Sequence, residues 1–381
     1  MPQCANQHSQ PAPGGLFIVK LLVQPGDGIA ALVKAINGAR KSIEIVIFRF
    51  DRREIERALA NAVHRGVAVR ALIAHTNRSG EAALRQLEMR LLAEGVVVSR
   101  TADDLIRYHS KVMIIDRREL FVLAFNLAYA DIERSRSFGV ITRSAPLVRE
   151  AVQLFESDVQ RRPYDSSLSQ FVVSPSNARA QLAKFIGAAR KELLIYDPEV
   201  SDPAMTKILE SRAKAGVDIR IIGRLGRTIP GISVRKLESL RLHTRTMVRD
   251  GRAAFVGSQS LREAELDSRR EVGLIFREAS AVARIRRIFQ EDWEASLAKG
   301  EANDATLPRR VGKRVAKAVV SELPPLGPVF NEVVREVAGG ARVDINPEEI
   351  QAMVKDAVKE VVKEIVTDAV EETVLPERKV S

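Results

Sequence analysis

The chain has 381 residues, 45% of them hydrophobic and 29% charged, with a net charge of +11; this is ample apolar material for a large core or two domains beneath a well-solvated surface. A basic surface suits an anionic partner such as the phosphates of lipid or nucleic acid. Cys4 is the only cysteine, which excludes an internal disulfide and a thiolate zinc site and fits a reducing compartment, and no run approaches the roughly 18 apolar residues of a membrane span.

Residues 1–16 are polar and rich in Pro and Gly, without an apolar signal core. They read as a disordered N-terminus, and the chain as a soluble, cytoplasmic protein open to peripheral membrane contact. Residues 17–160 then read as a first α/β unit. The stretch AINGARKSIEIVIF at 35–48 is an amphipathic helix ending near Arg40-Lys41, followed by a β-branched run. A second helix stops at Gly66, where a left-handed residue is often needed, and the strand VAVR follows. EAALRQLEMRLLAEG, from Glu81, is a further helix candidate. Residues 161–177, RRPYDSSLSQFVVSPSN, have the Pro/Ser/Asp character of a linker.

A second unit, residues 178–297, repeats the first. FIGAARKELLIYDP at 185–198 and Gly216 with VDIR lie 150 residues after their counterparts. Further on the offset becomes 134: His109, Asp116, Gly139, Phe155 and Asp158 match His243, Asp250, Gly273, Phe289 and Asp292. The second copy is thus 16 residues shorter, and has RLGRTIPGISVRKLESL where the first has its extra helix. Trp293, Phe155 and Phe289 read as core anchors, and His64 and His75 as surface or loop residues. Residues 298–346 read as a linker with short helices. Residues 347–374 form an amphipathic helix candidate, opened by Asn346-Pro347. Its valines at 354, 358, 362, 366, 370 and 374 make a stripe suited to packing or self-association, with a membrane surface as the alternative. The last 35 residues hold nine acids and five bases, so the body before them is more basic than the whole.

Two of the five histidines share one frame: RYHSKVMIID at 107–116 and RLHTRTMVRD at 241–250. In an extended strand His109 and Lys111 project to one face, as do His243 and Arg245. Asp116 and Asp250 have the opposite parity and read as anchors of the strand end. Imidazole can attack phosphorus or carry a proton near neutral pH. A neighbouring Lys or Arg can hold non-bridging oxygens and offset transition-state charge. One His with one cation is half a phosphoryl-transfer site. Two copies face to face complete it, one His attacking and the other protonating the leaving oxygen, with the cations doing a metal's electrostatic work. No metal or other cofactor is expected.

The chain resembles the phospholipase D superfamily, whose motif is His-x-Lys-x-x-x-x-Asp followed by Gly-Ser-x-Asn and then Glu or Asp. The resemblance covers about residues 17–297 and rests on IEIVIFRF, RGVAVRALI, HSKVMIID, FVGSQS, RREVGLIF and FQEDW. It implies a pseudo-twofold pair of α-β-α sandwich units with the active site between them, and a phosphohistidine intermediate released to water or an alcohol. The first copy keeps His109, Lys111, Asp116 and Asn126, but has Leu123-Ala124 for Gly-Ser and Ser137 for Glu. The second keeps His243, Asp250, Gly257, Ser258 and Glu271, but has Arg245 for Lys and Ser260 for Asn. Arg can grip phosphate in a fork. A carboxylate partner supports an imidazole, so Glu271 is expected to favour His243, while the resemblance favours His109 as nucleophile. Asp131 or Glu133 is a stand-in carboxylate for His109, with a plain surface charge as the alternative.

Three functions follow. The first is a phospholipase D-like phosphodiesterase or phosphatidyltransferase acting on a phospholipid, because two motifs fused in one chain resemble the family's lipid enzymes. The second is a nuclease, favoured by the basic body and opposed by only 5% aromatic residues for stacking. The third is a catalytically weak scaffold using an anion-binding cleft.

Overall fold

The computed structural model describes residues 17–75 and 81–298, with scattered positions beyond at 315, 318–321, 358 and 362. The chain divides into two compact units, Met1–Leu297 and Ala298–Ser381. In the second, Val358 and Val362 are helical and partly exposed. The rest of the helix expected at 347–374, the linker expected at 298–346 apart from Ala298 and the positions named above, and the N-terminus 1–16 lie outside the described residues.

The first unit holds two mixed β-sheets of one plan. The first half runs β1 (Val19–Gln24), α1 (Ala30–Gly38), β2 (Ser42–Ile47), α2 (Arg53–His64), β3 (Ala68–Ile73), α3 (Glu81–Ala93), β4 (Val97–Arg100), β5 (Arg107–Tyr108), β6 (Val112–Ile115), β7 (Glu119–Leu123), α4 (Tyr129–Glu133), β8 (Ser135–Thr142) and α5 (Ala145–Val159). The second runs β9 (Phe171–Ser174), α6 (Ala178–Gly187), β10 (Glu192–Val200), α7 (Pro203–Lys214), β11 (Asp218–Leu225), β12 (Ile232–Lys236), β13 (Arg241–Leu242), β14 (Arg245–Arg249), β15 (Ala253–Gly257), α8 (Glu263–Asp267), β16 (Arg269–Phe276) and α9 (Ala279–Glu294).

The first sheet is ordered β1-β8-β7-β6-β2-β3-β4; the second runs β9-β16-β15-β14-β10-β11-β12. The pairing senses match as well. Strands β2, β3 and β4 are parallel, as are β10, β11 and β12, and the other neighbours on these paths are antiparallel. The internal repeat is therefore a repeat of topology. The helix expected from Glu81 is α3, and the shorter second copy passes from β11 to β12 without one. Strand β9 lies inside the stretch read as a linker. Phe171, Val172 and Val173 are β-prone and fully buried, and their pairing with β16 overrides the turn-forming residues around them.

The elements form for local reasons. On α2, Ile55, Ala58, Leu59 and Ala62 recur at helical spacing and are buried. Gly66 and Gly216 follow α2 and α7 with φ of +82° and +84°, where an L side chain is strained. Asp116 and Asp250 act as anchors. The Asp116 carboxylate accepts the backbone N–H groups of Arg40, Lys41 and Ser42, and Asp250 accepts those of Arg190, Lys191 and Glu192. Burial alone would raise both carboxyls; the three donors outweigh it and hold each below its ordinary value.

Three apolar clusters make the core. One belongs to the first half, packed among α1, α2, α3 and their sheet, and one to the second. The largest takes residues from both halves, including Phe138, Phe155, Phe171, Tyr196, Phe289 and Trp293. Phe289 and Trp293 stack there with centroids 5.8 Å apart. The halves are fused by this shared core, and the site lies where their sheets exchange strands.

Candidate active site

The exchange is the feature that builds the site. Just before each histidine the chain crosses to the other half's sheet. Arg107 and Tyr108 of β5 pair in parallel with Arg269 and Arg270 of β16. Arg241 and Leu242 of β13 pair in parallel with Ser135 and Arg136 of β8. The His109 N–H donates to the Arg270 carbonyl at 2.8 Å, and the His243 N–H to the Arg136 carbonyl at 3.2 Å. Each histidine is thus delivered by one half and seated on the other.

Two buried ion pairs lock this seating. Arg270 Nε donates to Asp158 of α5 at 3.1 Å. Arg136 Nε and Nη2 donate to Asp292 of α9 at 2.6 and 2.9 Å, and the Tyr196 hydroxyl adds a third bond to Asp292 at 2.6 Å. All four charged residues repeat at the offset of 134, and each pair joins opposite halves. Sequence reasoning noticed the aspartates as landmarks and missed their partners. The shared offset of Arg136 and Arg270 was the available signal.

At the centre, His109 Nδ1 lies 2.9 Å from Oε2 and 3.0 Å from Oε1 of Glu271. Glu271 is fully buried and comes from the second half, so it supports the first-copy histidine. The expectation that it would serve His243 is corrected, and the strand exchange is the reason. Burial, then the charges of Lys111 and Arg245, hold the His109 imidazole well below its ordinary value. Burial raises the Glu271 carboxyl. A neutral imidazole donating Nδ1–H to Glu271 leaves the Nε2 lone pair free for attack. The Phe48 ring meets His109 edge-on at 4.5 Å and fixes its plane. Phe48 was not foreseen, since its repeat counterpart is Pro198.

Lys111 and Arg245 occupy matching places. Lys111 Nζ donates to the His109 carbonyl at 2.5 Å, and Arg245 Nη1 to the His243 carbonyl at 2.7 Å. Burial pulls the Lys111 ammonium down to about 7, with Glu271 acting the other way. The charge of Arg245 reaches His109 and that of Lys111 reaches His243, so the two frames converge on one region.

His243 has other company. Its Nε2 lies 3.4 Å from Asp131 Oδ2, and its Nδ1 is buried without a hydrogen bond among the described residues. Asp131, expected beside His109, stands on the opposite side of the exchange. Glu133 is exposed and pairs with Arg52. Asn126 donates its N–H and Nδ2 to Asp131; in parallel, Ser260 donates its N–H to Glu265 and its hydroxyl accepts from Arg245 Nε at 3.2 Å. Ser258 lies against Glu271, and its hydroxyl and the Val272 backbone bond one another. Ala124 and Ser137, which replace family residues, are both fully buried. His64 and His75 are exposed, away from these contacts. Among the described residues, no group of three or more His, Cys, Asp or Glu side chains is placed to hold a metal ion.

This pair of exchanged, histidine-bearing sheets defines a class. The family described as "Cardiolipin synthase, PLD-like domain" matches residues 32–159 and 182–293, and the chain belongs to it and so to the phospholipase D superfamily. A mouse protein named mitochondrial cardiolipin hydrolase is 27% identical over 128 residues, 34% of this chain and 56% of the relative. The chain thus spans about half the length of the curated relatives it matches. Phosphatidylserine synthase from Haemophilus influenzae superposes with a TM-score of 0.59 at 12% identity, covering 92% of this chain and 94% of the other. Polyphosphate kinase from Porphyromonas gingivalis gives 0.62 at 18% identity, over 72% of this chain and 50% of the other. Both share the fold. No described helix is long and apolar enough to cross a membrane.

Proposed function

We propose that this protein is a phosphodiesterase or phosphatidyltransferase of the phospholipase D type, acting on a phospholipid without a metal ion. The observation that carries the reading is the strand exchange, which seats each histidine, with a cation from its own frame bonded to its carbonyl, on the other half's sheet. His109 Nε2 attacks phosphorus, and the bond from phosphorus to the leaving oxygen breaks. His243, neutral in the free site and brought to its imidazolium form by the charge of the bound phosphodiester anion, gives that oxygen its proton. Water or an alcohol then gives a proton to His243 and attacks the phosphohistidine, which frees His109. Lys111 and Arg245 hold the non-bridging oxygens and offset the charge that builds in the transition state. A phospholipid substrate is supported by the family description and by the named activity of the relatives. On this reading the chain works at a lipid surface as a peripheral protein.

The test is turnover by the full chain with EDTA present, on phospholipid vesicles, single-stranded DNA and an aryl phosphodiester in parallel. Turnover of the vesicles is expected to survive EDTA and to fall by at least about 10³-fold in His109→Ala and in His243→Ala. Preference for DNA would move the substrate to nucleic acid. Turnover lost to EDTA, or retained in either variant, would overturn the paired-histidine reading, and a folded protein with no turnover would favour a binding scaffold.

A further inference from the structure

His243 lacks the carboxylate that His109 has. Ser137 stands where the repeat places Glu271, and the strand register seats it beside His243 as Glu271 is seated beside His109. Ser137 Oγ and His243 Nδ1 are both buried without a hydrogen bond among the described residues. The opposite edge of the ring, Nε2, faces Asp131 Oδ2 at 3.4 Å, and Asp131 is 1% exposed. The counterpart of Asp131 is Glu265, whose bonds and ion pairs go to Ser260, Arg245, Arg262 and Arg269. Of these two acids only Asp131 pairs with a histidine nitrogen; Glu265 reaches His109 through its charge alone.

We propose that Asp131 is the positioning residue of His243, supplying from the Nε2 side the counter-charge that Ser137 cannot supply from the Nδ1 side. The inference rests on the paired-histidine reading above and adds a member to that site. The charged groups around His243 are Asp131, Arg245, Arg241 and Lys111; Asp131 alone among them favours the imidazolium. An acid that must give up a proton to a leaving oxygen needs such a counter-charge until substrate arrives. Asp131 is itself held: it accepts from the Asn126 N–H at 3.0 Å and from Asn126 Nδ2 at 2.6 Å, and pairs with Arg241. Burial raises its carboxyl, and the charges of His243 and Arg241 with the Asn126 bonds more than reverse this, so it stays ionised.

The experiment follows the ring proton of His243 by NMR titration of the full chain, assigned by its loss in His243→Ala, beside the pH profile of turnover on an aryl phosphodiester. In Asp131→Asn the His243 titration is expected to move to lower pH, and turnover to fall about ten- to a hundredfold. Adding Ser137→Glu to that variant is expected to move the titration back up and to recover about tenfold. Asp131→Glu, which keeps the charge, should titrate like the native chain and covers the case in which the double variant does not fold. A purely structural Asp131 would lose turnover with the His243 titration unmoved and no recovery by Ser137→Glu, and that result overturns the proposal. The titration reads the pair without turnover: a shift in Asp131→Asn in a protein that cleaves nothing would uphold the pair while the phosphodiesterase reading fails.

Discussion

The two halves of the site share a backbone and differ in side chains. Strand order, the exchange of β5 and β13, the Asp116 and Asp250 anchors and the Arg–Asp locks all recur. Beside the histidines the copies diverge: Glu271 at 2.9 Å from His109, against Ser137 and an Asp131 at 3.4 Å from His243. Scaffold residues are constrained equally in both halves because each carries the same load. In the proposed reaction the residues beside the imidazoles are free to differ, because nucleophile and acid need different electrostatics. A base that must be neutral gains from a tight Nδ1 acceptor, and an acid that must release a proton gains from a looser counter-charge.

The largest effect should come from the locks. Arg136→Ala and Arg270→Ala each leave a buried aspartate unpaired, and denaturant unfolding should show a loss of about 3–5 kcal/mol. Arg136→Ala should be the worse, since Asp292 takes two of its nitrogens while Asp158 takes only Nε of Arg270 and is pushed up by burial to about 6. Equal losses would remove that asymmetry. Next come the matching positions beside the histidines. Glu271→Gln should cut turnover by about 10²-fold or more, while Ser137→Ala should leave it within about twofold. Comparable losses would mean that the halves are chemically equivalent.

Smaller effects test the shared scaffold. Asp116→Ala and Asp250→Ala each orphan three backbone donors, at a cost of about 1–3 kcal/mol by denaturant unfolding, similar in the two halves. Turnover per folded molecule should change little, as befits anchors. The smallest effect concerns pH. Both histidines titrate below their ordinary value when folded, so the stability they contribute is whole above about pH 6.5 and is lost as pH falls through their folded values. Between pH 7.5 and 5, thermal melting of the native chain should fall further than that of His109→Gln/His243→Gln. An identical fall would mean the histidines are not held neutral.

Much of this was legible in the residues because it is local. The paired frames, the extra helix α3, the helix-ending Gly66 and the strand-end role of Asp116 follow from spacing and parity within a few residues. The linker misled at Phe171–Ser174, where Ser, Gln and Pro flank an apolar run that only a partner strand can claim. The carboxylate assignments for His109 and His243 came out exchanged for a related reason. Offsets of 150 and 134 relate the copies to each other, but they do not say that β5 leaves its own sheet for β16. That choice is made by pairing between residues more than 160 apart in sequence, such as Arg107 with Arg269, and no local pattern encodes it.

The central claim is that His109, backed by the opposite half's Glu271, is the nucleophile. Rapid quenching of the full chain with a phosphodiester substrate, followed by mass spectrometry under conditions that preserve phosphohistidine, reads it directly. With an aryl phosphodiester, whose leaving group departs without an acid, the account predicts an adduct on His109 that accumulates in His243→Ala and is absent from His109→Ala. An adduct on His243, or steady turnover with none on either histidine, would contradict it.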